Sequence, residues 1–212
     1  MKRLLACVLL AVALAACDST DDLVTGKPIE RVKDGQNLSF GSIESVEGTR
    51  FVTIPIVFDE QDHSVGSFSK SYQADNVRNR LIVDTENGDS RRVLPDERFQ
   101  ISDWIQPGSK SQSKLDQIVG DDQPRSKAVE IYVAVVRRPA IKSDEPPTYD
   151  VLAGRYDGTQ QVWVERNIAG FQGAWLTPSG KLAMLLARGD HGEYRLFDPV
   201  SFKPLLGKDL RI

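Results

Sequence analysis

The chain has two cysteines and two histidines in 212 residues. Cys7 and Cys17 are too few for a disulfide framework or a thiolate-rich zinc site. His63 and His191 cannot by themselves supply the three or four ligands that zinc requires. Nor is either set in a G-x-S-x-G context that would bring a serine and a carboxylate to one imidazole. Glycine-rich phosphate motifs are missing, which removes nucleotide chemistry, and no cofactor is expected. No spaced Asp-x-Asp-x-Asp-Gly loop offers the oxygens that calcium takes, so Asp121-Asp122 and Asp144-Glu145 are read as solvated loop charge. Basic residues are not in excess: 27 Lys and Arg stand against 30 Asp and Glu, a net charge of −3. Without a basic run, neither nucleic acid nor an anionic lipid surface is the expected electrostatic partner. The one long apolar run, Leu4 to Leu14, is about half the ~20 residues needed to cross a bilayer.

What is present begins with that run. Lys2 and Arg3 precede it, and Leu14-Ala-Ala-Cys17 followed by Asp18-Ser-Thr-Asp-Asp22 closes it. A charged start, a short apolar core and small residues mark a cleaved targeting segment. The four residues ending at Cys17 resemble the lipobox of bacterial lipoproteins. In that family the cysteine sulfur takes a diacylglycerol, cleavage occurs before it, and the new amino terminus is acylated. The resemblance implies that Cys17 is the lipidated first residue of the mature chain, that residues 1–16 are signal peptide in helical form, and that Cys7 is removed. It also implies a cell-envelope location facing the periplasm, with the membrane as a partner through three acyl chains, more than stable anchoring needs. An ordinary signal peptide ending near Ala13-Leu-Ala15 is the alternative, and it leaves Cys17 as a lone thiol in an exported protein. Asp18 resembles an inner-membrane retention signal of enteric bacteria; because that rule differs between bacterial groups, inner and outer membrane both stay open.

Residues 17–36 are polar, with Gly26, Pro28 and Gly35 spread through them, and read as a flexible tether. Residues 37–212 are of a size for one globular domain. Its first firm element is Phe51-Val-Thr-Ile-Pro-Ile-Val-Phe58, apolar and β-branched enough for a strand. Pro55 places that strand at an edge or beside a bulge, and the shorter run Leu38 to Val46 is expected to pair with it. Arg80 to Asp84 and Asp89 to Leu94 flank Asn87-Gly88, the strongest hairpin signal in the chain. Phe99 to Ile105 is a further short strand. From Ala128 to Arg138, Ile131, Val133 and Val135 fall on one face and Tyr132, Ala134 and Val136 on the other. Strand–turn–strand units follow at Asp157-Gly158, at Thr177-Pro-Ser-Gly180 and at Arg188-Gly-Asp-His-Gly192. The polar stretches 59–79 and 106–127 are long connections, with one helical turn expected at Leu115 to Val119. The fold class is all-β: an antiparallel meander of hairpins, either propeller-like or a curved sheet or sandwich.

A loose internal repeat runs through the meander. Leu81-Ile-Val-Asp-Thr-Glu-Asn-Gly88 aligns with Val151-Leu-Ala-Gly-Arg-Tyr-Asp-Gly158, and Tyr194-Arg-Leu-Phe-Asp198 begins a third copy at unequal spacing. Trp175-Leu-Thr-Pro-Ser-Gly-Lys-Leu-Ala183 resembles the strand–turn–strand signature of periplasmic β-propeller blades. A closed propeller needs at least four blades of ~40–45 residues, so a single curved or partly closed meander with propeller-like hairpins is expected.

No catalytic residue emerges. Ser67-Phe-Ser-Lys70 and Ser111-Gln-Ser-Lys114 match S-x-x-K without the companion motifs of penicillin-binding enzymes. Arg188-Gly-Asp190 spells an adhesion tripeptide but is ordinary turn chemistry. Most aromatics are expected in the core. Tyr156, beside the Asp157-Gly158 turn, is the candidate for exposure, and with His63 and His191 it forms the set of possible partner-binding residues. The expected function is a non-enzymatic, lipid-anchored module that binds another envelope protein. The alternative is a periplasmic inhibitor or immunity-type lipoprotein that blocks a cell-wall enzyme or toxin. A hydrolase built on Asp and Glu has no supporting motif.

Overall fold

The computed structural model describes residues 38–58, 77–97, 99–108, 130–138 and 146–210. The described residues contain thirteen strands and no helix. They are β1 (Leu38–Phe40), β2 (Glu44–Ser45), β3 (Phe51–Phe58), β4 (Val77–Asp84), β5 (Ser90–Arg92), β6 (Gln100–Ile105), β7 (Ile131–Arg137), β8 (Tyr149–Arg155), β9 (Gln161–Ile168), β10 (Gly170–Leu176), β11 (Leu182–Arg188), β12 (His191–Phe197) and β13 (Pro204–Leu210). The tether, the signal segment and the expected turn at Leu115 to Val119 lie outside the described residues.

The strands form three antiparallel sheets in chain order rather than one continuous curved sheet. The first has the order β1-β3-β4-β5 with β2 also on β3, the middle β6-β7-β8-β9, and the last β10-β11-β12-β13. The fold is thus an all-β, propeller-like series of hairpin sheets. The internal repeat falls on β4–β5, β8–β9 and β12–β13, the third-to-fourth-strand hairpin of each sheet. Each repeat hairpin is fixed by an aspartate. Asp84 accepts from the Glu86 N–H at 3.0 Å, Asp157 from Thr159 at 3.0 Å, and Asp198 from Ser201 at 2.8 Å. These are side-chain turns of the kind that aspartate makes two or three residues ahead of itself.

Pro55 does not put β3 at an edge; β3 lies between β1/β2 and β4. A register shift sits beside it at Ile56/Val57. β1 pairs with residues 56–58 of β3 and β2 with residues 52–53, so Pro55 faces the gap between them. Its carbonyl accepts from the Gly41 N–H at 2.8 Å, and its missing donor faces that same gap, where no ladder bond is lost. β4 begins at Val77, three residues inside the stretch expected to be loop, because Val77 and Asn79 are buried there.

The alternation of β7 sets the layering. Tyr132, Ala134 and Val136 join Phe51, Ile82, Trp104 and Leu152 in a core between the first and middle sheets. Ile131 and Val133 join Val151, Ile168, Leu182, Met184 and Leu186 in a second core between the middle and last sheets. The middle sheet is therefore covered on both faces. Each such aliphatic side chain contributes about 1.5–3 kcal/mol on burial, and this explains why β7 reads as an almost unbroken apolar run.

Candidate functional site

Three places in the fold concentrate polar or aromatic side chains. The first is the junction of the first and middle sheets. Trp104 stacks on Tyr132 with ring centres 4.5 Å apart. Tyr156 tilts against Tyr132 at 5.4 Å and meets Trp104 edge-on at 6.3 Å. Arg80 lies over the Trp104 ring at 5.0 Å and donates to Glu44 Oε2 at 2.5 Å and Thr53 Oγ1 at 3.2 Å. Arg91 lies over Tyr132 and donates to the Arg155 carbonyl. Tyr132 Oη donates to Gln161 Oε1 at 2.6 Å, and Gln161 Nε2 donates to the Val93 carbonyl at 2.9 Å, tying the middle sheet to the first.

This geometry corrects one expectation. Tyr156 is not exposed; it is 1% accessible and belongs to the core. Its N–H donates to the Glu130 carbonyl at 3.0 Å, which turns the chain back and carries the ring inward. Burial pushes the phenols of Tyr156 and Tyr132 up from their ordinary value. Both stay neutral at physiological pH, so the cluster packs and donates rather than supplying a phenolate.

The second place is a ring of four charges at the junction of the middle and last sheets. Arg188 Nε approaches Glu193 Oε2 at 2.5 Å and its Nη2 reaches Glu165. Arg195 reaches Glu165 at 3.1 Å and Glu193 at 2.8 Å. The two carboxylates are nearly buried and the two arginines about one-third exposed. Each charge has two opposite neighbours, so neither glutamate is poised as a free base. Arg188 is held in this ring, so Arg188-Gly-Asp190 is not a freely presented tripeptide.

The third is an open depression of about 260 Å³ bordered by Ser102, Asp103, Val135, Tyr149, Gly170 and Phe171. Burial pushes the Asp103 carboxyl up, against the opposing pull of the Trp104 N–H and Arg80. Among the described residues, Asp103 is the only carboxylate lining it. It can accept a hydrogen bond or meet a cation, whereas glycoside hydrolysis calls for a pair of carboxylates.

His191 opens β12 at the tip of the β11–β12 hairpin, with Nδ1 3.2 Å from Asp190 Oδ1. Tyr156, in the turn that follows β8 of the middle sheet, and His191, at the start of β12 in the last sheet, thus form no joint site. His63, Cys17 and both S-x-x-K strings lie outside the described residues. Among the described residues there is no group of three or more His, Cys, Asp or Glu arranged to hold a metal ion, and no helix long and apolar enough to cross a membrane. The charge ring escaped sequence reasoning. Its signal was the alternation of Glu193 and Arg195 with Tyr194 and Leu196, which puts the charged pair on one face of β12.

No known family's sequence profile matches the chain, and no curated protein matches it. Among solved structures, the chain is similar to the β-propeller domain of the trilobed protease from Pyrococcus furiosus, described as having an open velcro topology. The identity is 8% and the TM-score 0.40, with 82% of this chain and 43% of that chain covered. The chain therefore spans less than half the length of that protein chain.

Proposed function

We propose that the protein is a lipid-anchored lipoprotein of the bacterial cell envelope whose folded domain binds another envelope protein. The observation that carries this reading is Leu14-Ala-Ala-Cys17 behind a charged, apolar start. It assigns Cys17 the anchor, residues 17–36 the tether, and the β domain a place facing the periplasm. The domain supports a binding role through β13, whose seven residues are all exposed and which, among the described residues, has a neighbouring strand on one side only. Such an edge offers a row of unpaired backbone donors and acceptors to an extended segment of a partner.

Mass spectrometry of the mature amino terminus tests the anchor. The expected result is a lipidated Cys17, with Cys17→Ala accumulating as unprocessed precursor. An unmodified terminus anywhere from Ala15 to Ser19 overturns it. Crosslinking in intact cells followed by purification through the C-terminus tests the partner. An envelope protein is expected, and its recovery should fall when Leu206 or Lys208 on β13 is replaced by proline.

A further inference from the structure

We propose that the depression between the middle and last sheets is a binding site for one organic cation, a guanidinium or ammonium group on a body the size of an arginine or lysine side chain. This goes beyond the reading above, since it needs neither the anchor nor the β13 edge. The motivation is a carboxylate in an apolar place. Asp103 pairs with Val135. By alternation along β7, Val135 shares its face with Ile131 and Val133, which pack against the last sheet. Asp103 is thus on the inward side of β6, next in alternation to Ile105, which packs into that same core. A sheet covered on both faces ordinarily places an apolar residue there. A carboxylate loses hydration in such surroundings, at a cost that a cation would offset. Among the described residues, no Lys, Arg or His borders the depression. Arg80, whose charge acts on Asp103, is committed to Glu44 at 2.5 Å and lies over Trp104, which belongs to the opposite core. Asp103 is exposed at the mouth of the depression, so a ligand can reach it.

Both walls of the depression are built by bulged strands. β6 and β10 are the first strands of the middle and last sheets. The β6–β7 register slips between Ile101 and Asp103 and leaves Ser102 unpaired; the β10–β11 register slips between Phe171 and Gly173 and leaves Gln172 unpaired. Ser102 and Gln172 both line the depression. A bulge takes a residue out of the ladder and re-aims its side chain. Here two bulges bring a hydroxyl and an amide to one carboxylate. Ser102 Oγ donates to the Val135 carbonyl at 3.1 Å, which leaves its lone pairs to accept. Guanidinium and ammonium groups only donate. Tyr149 and Phe171 add aromatic surface at the border, which attracts such cations. Calcium takes about six to eight oxygens, more than Asp103, Ser102 and Gln172 supply. The volume of about 260 Å³ lies below the ~300–1,000 Å³ of sites for drug-sized ligands and suits a single side chain. The cation is carried either by a basic side chain of a partner polypeptide or by a free small amine.

The test uses the full chain purified in a mild detergent, titrated with N-acetylarginine methylamide and with butylguanidinium and followed by ligand-observed NMR. Saturable binding of both cations is expected, with neutral butylurea and anionic butyrate inert. Tighter binding of the capped arginine assigns the cation to a polypeptide, and equal binding assigns it to a free small amine. Asp103→Asn keeps an acceptor for the Trp104 N–H. It is expected to weaken binding by about tenfold or more without lowering Tm. Gln172→Glu adds a second carboxylate at an exposed position and is expected to tighten binding. That gain reads the same site where Asp103→Asn fails to fold. No saturable binding of either cation, equal binding of butylurea, undiminished binding by Asp103→Asn, displacement by equimolar calcium chloride, or a Gln172→Glu chain that binds no tighter would each overturn the proposal.

Discussion

The middle sheet packs against its two neighbours by different means. Toward the first sheet it presents rings and a hydrogen-bonded relay, with Trp104 stacked on Tyr132 and Gln161 reaching across to Val93. Toward the last sheet it presents short β-branched side chains, with charges confined to the Glu165–Arg188–Glu193–Arg195 ring. Alternation along β7 alone divides the two environments. The aromatic junction is directional and depends on a few close fits. The aliphatic one is adaptable in its interior and constrained at its polar border. Aromatic pairs add about 0.5–1.5 kcal/mol beyond the area they bury, so the first junction gains specificity from geometry that the second lacks.

The sharpest break in this comparison is Gly154→Val. Gly154 lies directly opposite Tyr132 in the β7–β8 register, and a Cβ there would overlap the phenol. Overpacking at a rigid ring is expected to cost about 3 kcal/mol, read as a large fall in Tm, while Met184→Leu in the aliphatic core should cost less than ~1.5 kcal/mol. Equal effects would erase the distinction.

Next in size is Arg188→Ala. It removes one guanidinium from two nearly buried carboxylates but leaves Arg195 in place. Between the cost of breaking a buried pair and that of an exposed one, about 2 kcal/mol is expected in a denaturant titration. Arg188→Lys should recover only part of this, since an ammonium cannot span two carboxylates as a planar fork does.

Gly158→Val should lose more than ~1 kcal/mol, because φ is 77° there and a side chain pays strain in that region. Gly88 has the same φ of 77°, but nothing stands near its Cβ position, whereas at Gly158 Arg91 Nε would lie 2.9 Å away. Thermal unfolding is therefore expected to rank Gly158→Val below Gly88→Val. The reverse order would show that the turn does not brace the first sheet.

The smallest effect belongs to Asp157. Burial pushes its carboxyl up, but the Thr159 N–H and hydroxyl and the Arg155 guanidinium outweigh that and hold it below the usual carboxylate range. A carboxylate lowered on folding adds stability that is complete above its unfolded value of ~3.9 and is lost as pH falls through the lowered one. Asp157→Ala is thus expected to reduce stability by at most ~1 kcal/mol near neutral pH. The Tm gap to wild type should close on acidification. A gap that widens in acid would contradict the assignment.

The strands and their hairpins were legible because each rests on local signals. Asn87-Gly88 supplies a turn at φ 77°, and the period of two in β7 assigns Tyr132 and Val133 to opposite cores. The repeat was legible because its first two copies place a glycine eighth, Gly88 and Gly158, each at φ 77° in its turn. The division into three sheets was not, since a break between strands leaves no local mark when both flanking segments alternate. Tyr156 misled for a related reason. Proximity to a turn points outward, but its backbone bond to Glu130, twenty-six positions earlier in the chain, reverses the direction. Gly154 became informative only once register set it opposite Tyr132.

Every strand pairing in the described residues joins strands adjacent in chain order, except that β1 pairs with β3 past β2. Among the described residues no late strand returns to complete an early sheet. Each sheet can therefore gather from local encounters, which keeps loop-closure cost low and folding fast for an all-β chain. A chain delivered amino terminus first can finish its first sheet while the residues of the last are still arriving. The slow event is then the docking of preformed sheets through the Phe51–Tyr156 and Leu182–Ile131 cores rather than the search for strand partners.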